Sequence, residues 1–189
     1  MSAVATRPPL EIVPLGGLGE FGLNMMAISS GDTMIVVDVG LMFPDIELLG
    51  VDLVIPDMTY LHQNKERLKA VILTHGHEDH VGALPYLLRE FQVPVYGTRL
   101  TLGLVRNRLE EHHLSEKTEL RTITPGDVRE IGPLKVDFIR VTHSLADAVS
   151  LAIETPQGTV IHTGDFKLDQ NPIVGEPFDI HRLAHYGKN

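Results

Sequence analysis

The chain has 189 residues, of which 43% are hydrophobic and 22% charged, the make-up of a globular domain large enough for its own core. It has no cysteine, which excludes disulfides and thiolate metal sites and suits a cytoplasmic protein. A net charge of -9, from 16 basic and 25 acidic residues, argues against a nucleic-acid surface over the whole chain but not against a local one. No apolar run approaches the roughly 20 residues of a membrane helix, so no membrane association is expected.

Residues 1–10 lack the apolar centre of a signal peptide and read as a flexible lead-in. One folded unit over 11–189 follows. Glu11–Leu15 and Met25–Ser29 read as strands, and Gly31-Asp32 signals a hairpin into a third strand, Met34–Val39. This opening is antiparallel, unlike a dinucleotide fold. Leu41 to Met58 has no period and carries Pro44, Gly50 and Pro56, so a long loop is expected. Thr59 is placed to cap a short helix. A buried strand is expected at 70–73, a helix at about 81–91, a short strand at Pro94–Tyr96 and a helix from Thr98 to about His113. That helix would bury Leu100, Leu104 and Leu109 on one face. Strands then dominate: Thr118–Ile123, Asp127–Ile131, Leu134–Val141, Ser150–Thr155 and Thr159–Thr163, the last two joined by a turn at Pro156-Gln-Gly158. Periodicity fades after Gly164. Antiparallel runs with a few helices between them suggest an α/β layered sandwich.

The chemistry concentrates at Thr74-His75-Gly-His77-Glu78-Asp79-His80, a polar turn between a buried strand and a helix. Imidazoles and a carboxylate packed there are costly unless something holds them, and a divalent cation is the simplest holder. Asp38, His143 and Asp165 sit in or just after other apolar strands, where scaffolds present functional groups. His75, His77 and His143 could hold one ion, Asp79 and His80 a second, with Asp165 bridging; two such ions about 3.5–4 Å apart suit hydrolysis of phosphoesters and amides. By this count the second ion is one protein ligand short. Nitrogen and oxygen donors without sulfur suit Zn²⁺, with Mn²⁺ as the alternative. Asp38 reads as an orienting residue behind the histidines. Ser144 is placed to donate to a substrate phosphate. Asp45, Glu47 and Asp52 around Gly50 could hold a Ca²⁺, although solvated acids explain them better. Gly17-Leu-Gly19-Glu-Phe-Gly22 matches G-x-G-x-x-G only literally, because strand and not helix follows. It reads as a tight loop approaching the metal site.

His75-Gly-His77-Glu-Asp79-His80 resembles the H-x-H-x-D-H signature of metallo-β-lactamase-fold hydrolases. Further blocks resemble the bacterial ribonuclease J family: Gly16-Gly-Leu-Gly-Glu-Phe-Gly22, Leu49-Gly-Val-Asp-Leu-Val-Ile-Pro-Asp57, Val141-Thr-His143-Ser and His162-Thr-Gly-Asp165-Phe-Lys167. The resemblance implies an αββα sandwich of mixed, mostly antiparallel sheets with two zinc ions at one edge. It implies His75, His77 and His143 on one ion, Asp79 and His80 on the other, Asp165 between them and Asp38 in support, with Asp79 as candidate catalytic carboxylate. It lends modest support to a structural cation near Gly50 and Asp52.

The activity implied is 5′-to-3′ exonucleolytic and endonucleolytic RNA cleavage in rRNA processing and mRNA decay, by a dimer or tetramer working with other RNA-decay proteins. That family continues with a β-CASP domain, the rest of the metallo-β-lactamase domain and a C-terminal domain. The chain is therefore expected to be the N-terminal part of a longer nuclease, inactive alone. The ligand set by itself also allows a thioester or lactam hydrolase, or a metal-stabilised scaffold that binds RNA or protein without turnover.

Overall fold

The computed structural model describes residues 8–44 and 49–188. The turn at Gly31-Asp32 folds β2 (Met25–Ser30) onto β3 (Thr33–Val37), and β1 (Leu10–Gly16) pairs antiparallel with the other edge of β2. Pairing then changes sense. β4 (Leu68–Ile72), β5 (Val95–Thr98) and β6 (Leu120–Ile123) add in parallel, each reached through a connection that carries a helix. The six strands form one sheet in the order β1-β2-β3-β4-β5-β6. A second, antiparallel sheet holds β7 (Val128–Ile131), β8 (Leu134–Arg140), β9 (Val149–Thr155) and β10 (Gly158–His162) in the order β10-β9-β8-β7.

Side-chain alternation along the first sheet builds two cores. Ala27, Met34, Val36 and Val71 face the helices, where they meet Leu61, Leu84, Leu87, Leu102 and Leu109. Ile28, Ile35, Val37 and Ile72 face the second sheet and meet Val136, Phe138, Leu151 and Ile153. Each of these side chains except Ala27 contributes about 1.5–3 kcal/mol by leaving water. On the outer face of the second sheet lies α5 (Ile180–Tyr186). Its Arg182 donates from Nε to both oxygens of the buried Asp137, at 2.8 and 2.9 Å, and Tyr186 donates to the same carboxylate at 2.8 Å. The layers are thus helix, sheet, sheet, helix, as expected. No helix among the described residues is long and apolar enough to cross a membrane.

Several local expectations change. α4 (Arg99–Glu111) buries Thr101, Leu102, Val105 and Leu109, while Leu100 and Leu104 are 38% and 43% exposed. Positions 102, 105 and 109 keep the three- and four-residue steps of one helical face, and the five-residue step from 104 to 109 leaves it. Leu104 instead lies against Gly76 of the polar turn. The single helix expected at 81–91 is two: α2 (Glu78–Val81) begins inside the histidine stretch, and α3 (Leu84–Glu90) starts afresh with Pro85 in its first turn. At α1 (Thr59–Gln63) the capping acceptor is not Thr59. Asp57 Oδ1 accepts the Thr59 N–H at 2.7 Å. The long loop is tied at Met42 and Val54 by a bridge. Asp45, Glu47 and residues 1–7 of the lead-in lie outside the described residues, and β1 already begins at Leu10.

Candidate metal centre

β3 and β4 run side by side and end together, which brings Asp38 next to Thr74. Asp38 lies just past β3, not inside it, with a left-handed φ of 59°, a conformation that aspartate tolerates better than most residues. Its carboxylate is 1% exposed and fully engaged. Oδ1 accepts the Thr74 N–H, and Oδ2 accepts from both Thr74 Oγ1 and His80 Nδ1, each at 2.8 Å. Burial would raise this carboxyl, but the charge and hydrogen bond of His80 outweigh it and hold the group below the ordinary range. For His80 the balance mirrors this. Burial lowers its value, and Asp38 more than offsets that, leaving it raised.

These bonds fix the free ring nitrogens. His80 spends Nδ1–H on Asp38, so Nε2 carries its lone pair. Thr74 Oγ1 gives its proton to Asp38 and accepts from His75 Nδ1 at 3.1 Å, so His75 Nε2 is free. Burial first, and then the charge of His80, push His75 down to about 3, which keeps it neutral near pH 7. His77 turns Nε2 towards Ser144 Oγ, 3.3 Å away, and Nδ1 inward.

The inward atoms converge. His77 Nδ1 lies 2.9 Å from His75 Nε2 and 3.2 Å from His143 Nε2. His75, His80 and Asp165 form a second set of three, so His75 belongs to both. Asp165 Oδ2 stands between the sets, 3.6 Å from His80 Nε2 and 3.8 Å from His143 Nε2. Asp79 Oδ2 is 3.6 Å from His80 Nε2 on the remaining side. Imidazole nitrogens that can each offer a lone pair to a cation, crowded together and ringed by carboxylates, are the donor set that fits divalent cations of the zinc or manganese kind. Gly50 and Asp52 join no cluster of three ligand-type side chains among the described residues.

Two neighbours of the site escape sequence reasoning. Asn24 reaches both Asp79 and His80 from the end of the glycine loop. Its only signal in sequence is its place two residues after the glycine loop of Gly16 to Gly22. His162, at the end of β10, lines a cavity of about 400 Å³ together with Asn24, Asp38, His80 and Asp165. Burial pushes its imidazole below the ordinary value. It opens the block that ends at Lys167, three residues before Asp165, but a lone histidine inside an apolar strand carries no role by itself.

Comparison with known proteins agrees with this geometry. Residues 18–188 match the model of the metallo-beta-lactamase superfamily. A curated relative named ribonuclease J, from Synechocystis sp., is 48% identical over 181 residues, covering 95% of this chain and 28% of its own length. The ribonuclease J of Helicobacter pylori is 46% identical over 184 residues, covering 97% of this chain and 27% of that protein. The chain therefore spans less than a third of these relatives. The crystal structure of the metallo-beta-lactamase fold protein YhfI from Bacillus subtilis shares the fold, with a TM-score of 0.58 at 20% identity over 84% of this chain and 63% of that one. A match over nearly all the described residues, on a fold that gathers the H-x-H-x-D-H histidines at one sheet edge, establishes that the chain belongs to the metallo-β-lactamase superfamily.

Proposed function

We propose that this chain carries the metal-binding part of a ribonuclease that hydrolyses RNA phosphodiesters with two divalent cations, both zinc, with Mn²⁺ as a substitute. One observation carries the reading: two sets of ligand-type side chains share His75, and Asp165 of the second set reaches within 3.8 Å of His143 of the first. The likeness to ribonuclease J over nearly the whole chain supports RNA as the substrate. Cations of this kind would supply Lewis acidity towards a phosphoryl oxygen and lower the pKa of a water towards neutrality.

The chain's own residues do the rest. Asp38 and Thr74 hold His80 and His75 in the tautomers that present Nε2 inward. Ser144 steadies the outer nitrogen of His77 and remains placed to donate onward to a phosphate. The Asp79 carboxylate, 22% exposed beside His80, orients the attacking water and accepts its proton. A groove of about 560 Å³ runs from His143 and Ser144 past Arg99, Arg140 and Lys167, side chains suited to backbone phosphates. The polypeptide extended to the length of its relatives acts 5′-to-3′ and endonucleolytically in rRNA processing and mRNA decay, as a dimer or tetramer with other decay proteins. The 189-residue chain alone binds metal and turns over little.

The test sets a 5′-monophosphorylated RNA against thioester and β-lactam substrates, using the extended polypeptide. RNA cleavage that Asp79→Asn abolishes is the expected result. Thioester or lactam turnover without RNA cleavage would overturn the proposal. RNA binding with no hydrolysis of any substrate would favour a scaffold.

A further inference from the structure

The glycine loop ahead of β2 delivers Asn24 to the metal centre. Asn24 donates twice to one atom, the Asp79 carbonyl oxygen: from its backbone N–H at 3.1 Å and from Nδ2 at 3.1 Å. Nδ2 also reaches Asp79 Oδ2 at 3.3 Å. A peptide carbonyl and an ionised carboxylate only accept, so they decide which end of the carboxamide faces them. The other end, Oδ1, turns to Gly17, where a Cβ would sit 2.7 Å from it. Gly17 has a φ of 81°, so the site demands glycine on conformational grounds as well. Gly40 closes the opposite side. Its N–H donates to Asn24 O at 2.9 Å, and a Cβ there would collide with the Asp79 carbonyl. Two glycines distant in sequence thus leave the room in which Asn24 holds Asp79.

Nδ2 has one further neighbour, His80 Nε2 at 3.2 Å, the nitrogen that the Asp38 bond leaves with a free lone pair. Two hydrogens cannot fully serve three acceptors. The contact to His80 is the one that gives way when a cation takes that lone pair, and both hydrogens then serve Asp79.

We infer that Asn24 is a positioning residue for the cation held by His80 and Asp165: it sets the rotation of the Asp79 carboxylate beside that ion, in a cradle formed by Gly17 and Gly40. The inference rests on the two-cation reading of the site and is independent of RNA being the substrate.

Cobalt(II) titration of the 189-residue chain, followed by visible absorption and calorimetry, tests it without any turnover assay. The wild type should take up a tighter and a weaker equivalent, the one held by His75, His77 and His143 being identified by its loss in His77→Ala. Asn24→Ala, and Asn24→Leu, which keeps the volume without the donors, should weaken the other equivalent by about 10–100-fold and alter its absorption band. The first equivalent should stay within about twofold, because its ligands share no hydrogen bond with Asn24. Gly40→Ala should reproduce the selective loss. A wild type with no second equivalent, a second equivalent indifferent to Asn24, or equal loss of both ions with a lowered melting temperature would each overturn the assignment.

Discussion

The two sides of the metal centre are held in opposite ways. His80 shows only 3% of its side chain to solvent and is bonded to a carboxylate that shows 1%. His143 shows 18% and Asp165 47%, and both stand on strand-end segments at the open edge. The buried side is built before any cation arrives, because its groups are already paired. On the open side, His77, His143 and Asp165 crowd one another, and the partner behind His77 is the exposed hydroxyl of Ser144 rather than a buried carboxylate. One side thus belongs to the fold and the other to the ligand, and substitutions should separate them.

Asp38→Ala should have the largest effect. It strands the Thr74 N–H and one side of His80 in a buried site, and breaking such a pair costs about 3–5 kcal/mol. Urea unfolding of the metal-free chain should show this, together with loss of the His80 ion. A cost below about 1 kcal/mol, the size of an exposed pair, would mean that the buried side is not preformed.

Acidity should come next. His75 takes its proton in the folded chain only near 3, well below its ordinary 6.5. The unfolded chain protonates first, so stability of the metal-free chain should fall as pH drops from about 6.5 towards about 3. Asp38 adds to this arm. Its contribution is present above the ordinary carboxylate value and lost as pH falls through its lowered one. His80 acts in the other direction. Its contribution is complete below 6.5 and is lost as pH rises through its raised value. Melting temperature against pH should therefore peak near neutrality. A flat alkaline side would show that His80 and Asp38 are not coupled.

On the open side, His77→Ala should lower bound metal by about one ion while shifting metal-free stability by no more than about 0.5 kcal/mol. Elemental analysis and a melt read both quantities, and unchanged metal content would remove His77 from the ligand set. Ser144→Ala should be mildest, with a roughly tenfold weaker ion at His77 and no change in stability. A loss of folding in Ser144→Ala would place the open side within the fold after all.

The sequence alone determined most of the elements and the centre of the chemistry. Turn residues at Gly31-Asp32 and Pro156-Gln-Gly158 mark hairpins by local conformational need, and four ligand-type residues after a buried strand have no comfortable alternative. These signals are local, so one stretch of chain carries them. Tertiary structure decided the rest. Whether Leu104 or Val105 faces the core of α4 depends on which side the sheet lies, and Leu104 found a place over Gly76. Asp38 became the anchor of two histidines because parallel pairing of β3 with β4 set it beside Thr74. Asn24 lies 55 residues from the carboxylate it holds, and the glycines that admit it, Gly17 and Gly40, look in sequence like ordinary turn residues. A contact between distant segments leaves no period or spacing to read. It is fixed only when the sheets bring the backbones together.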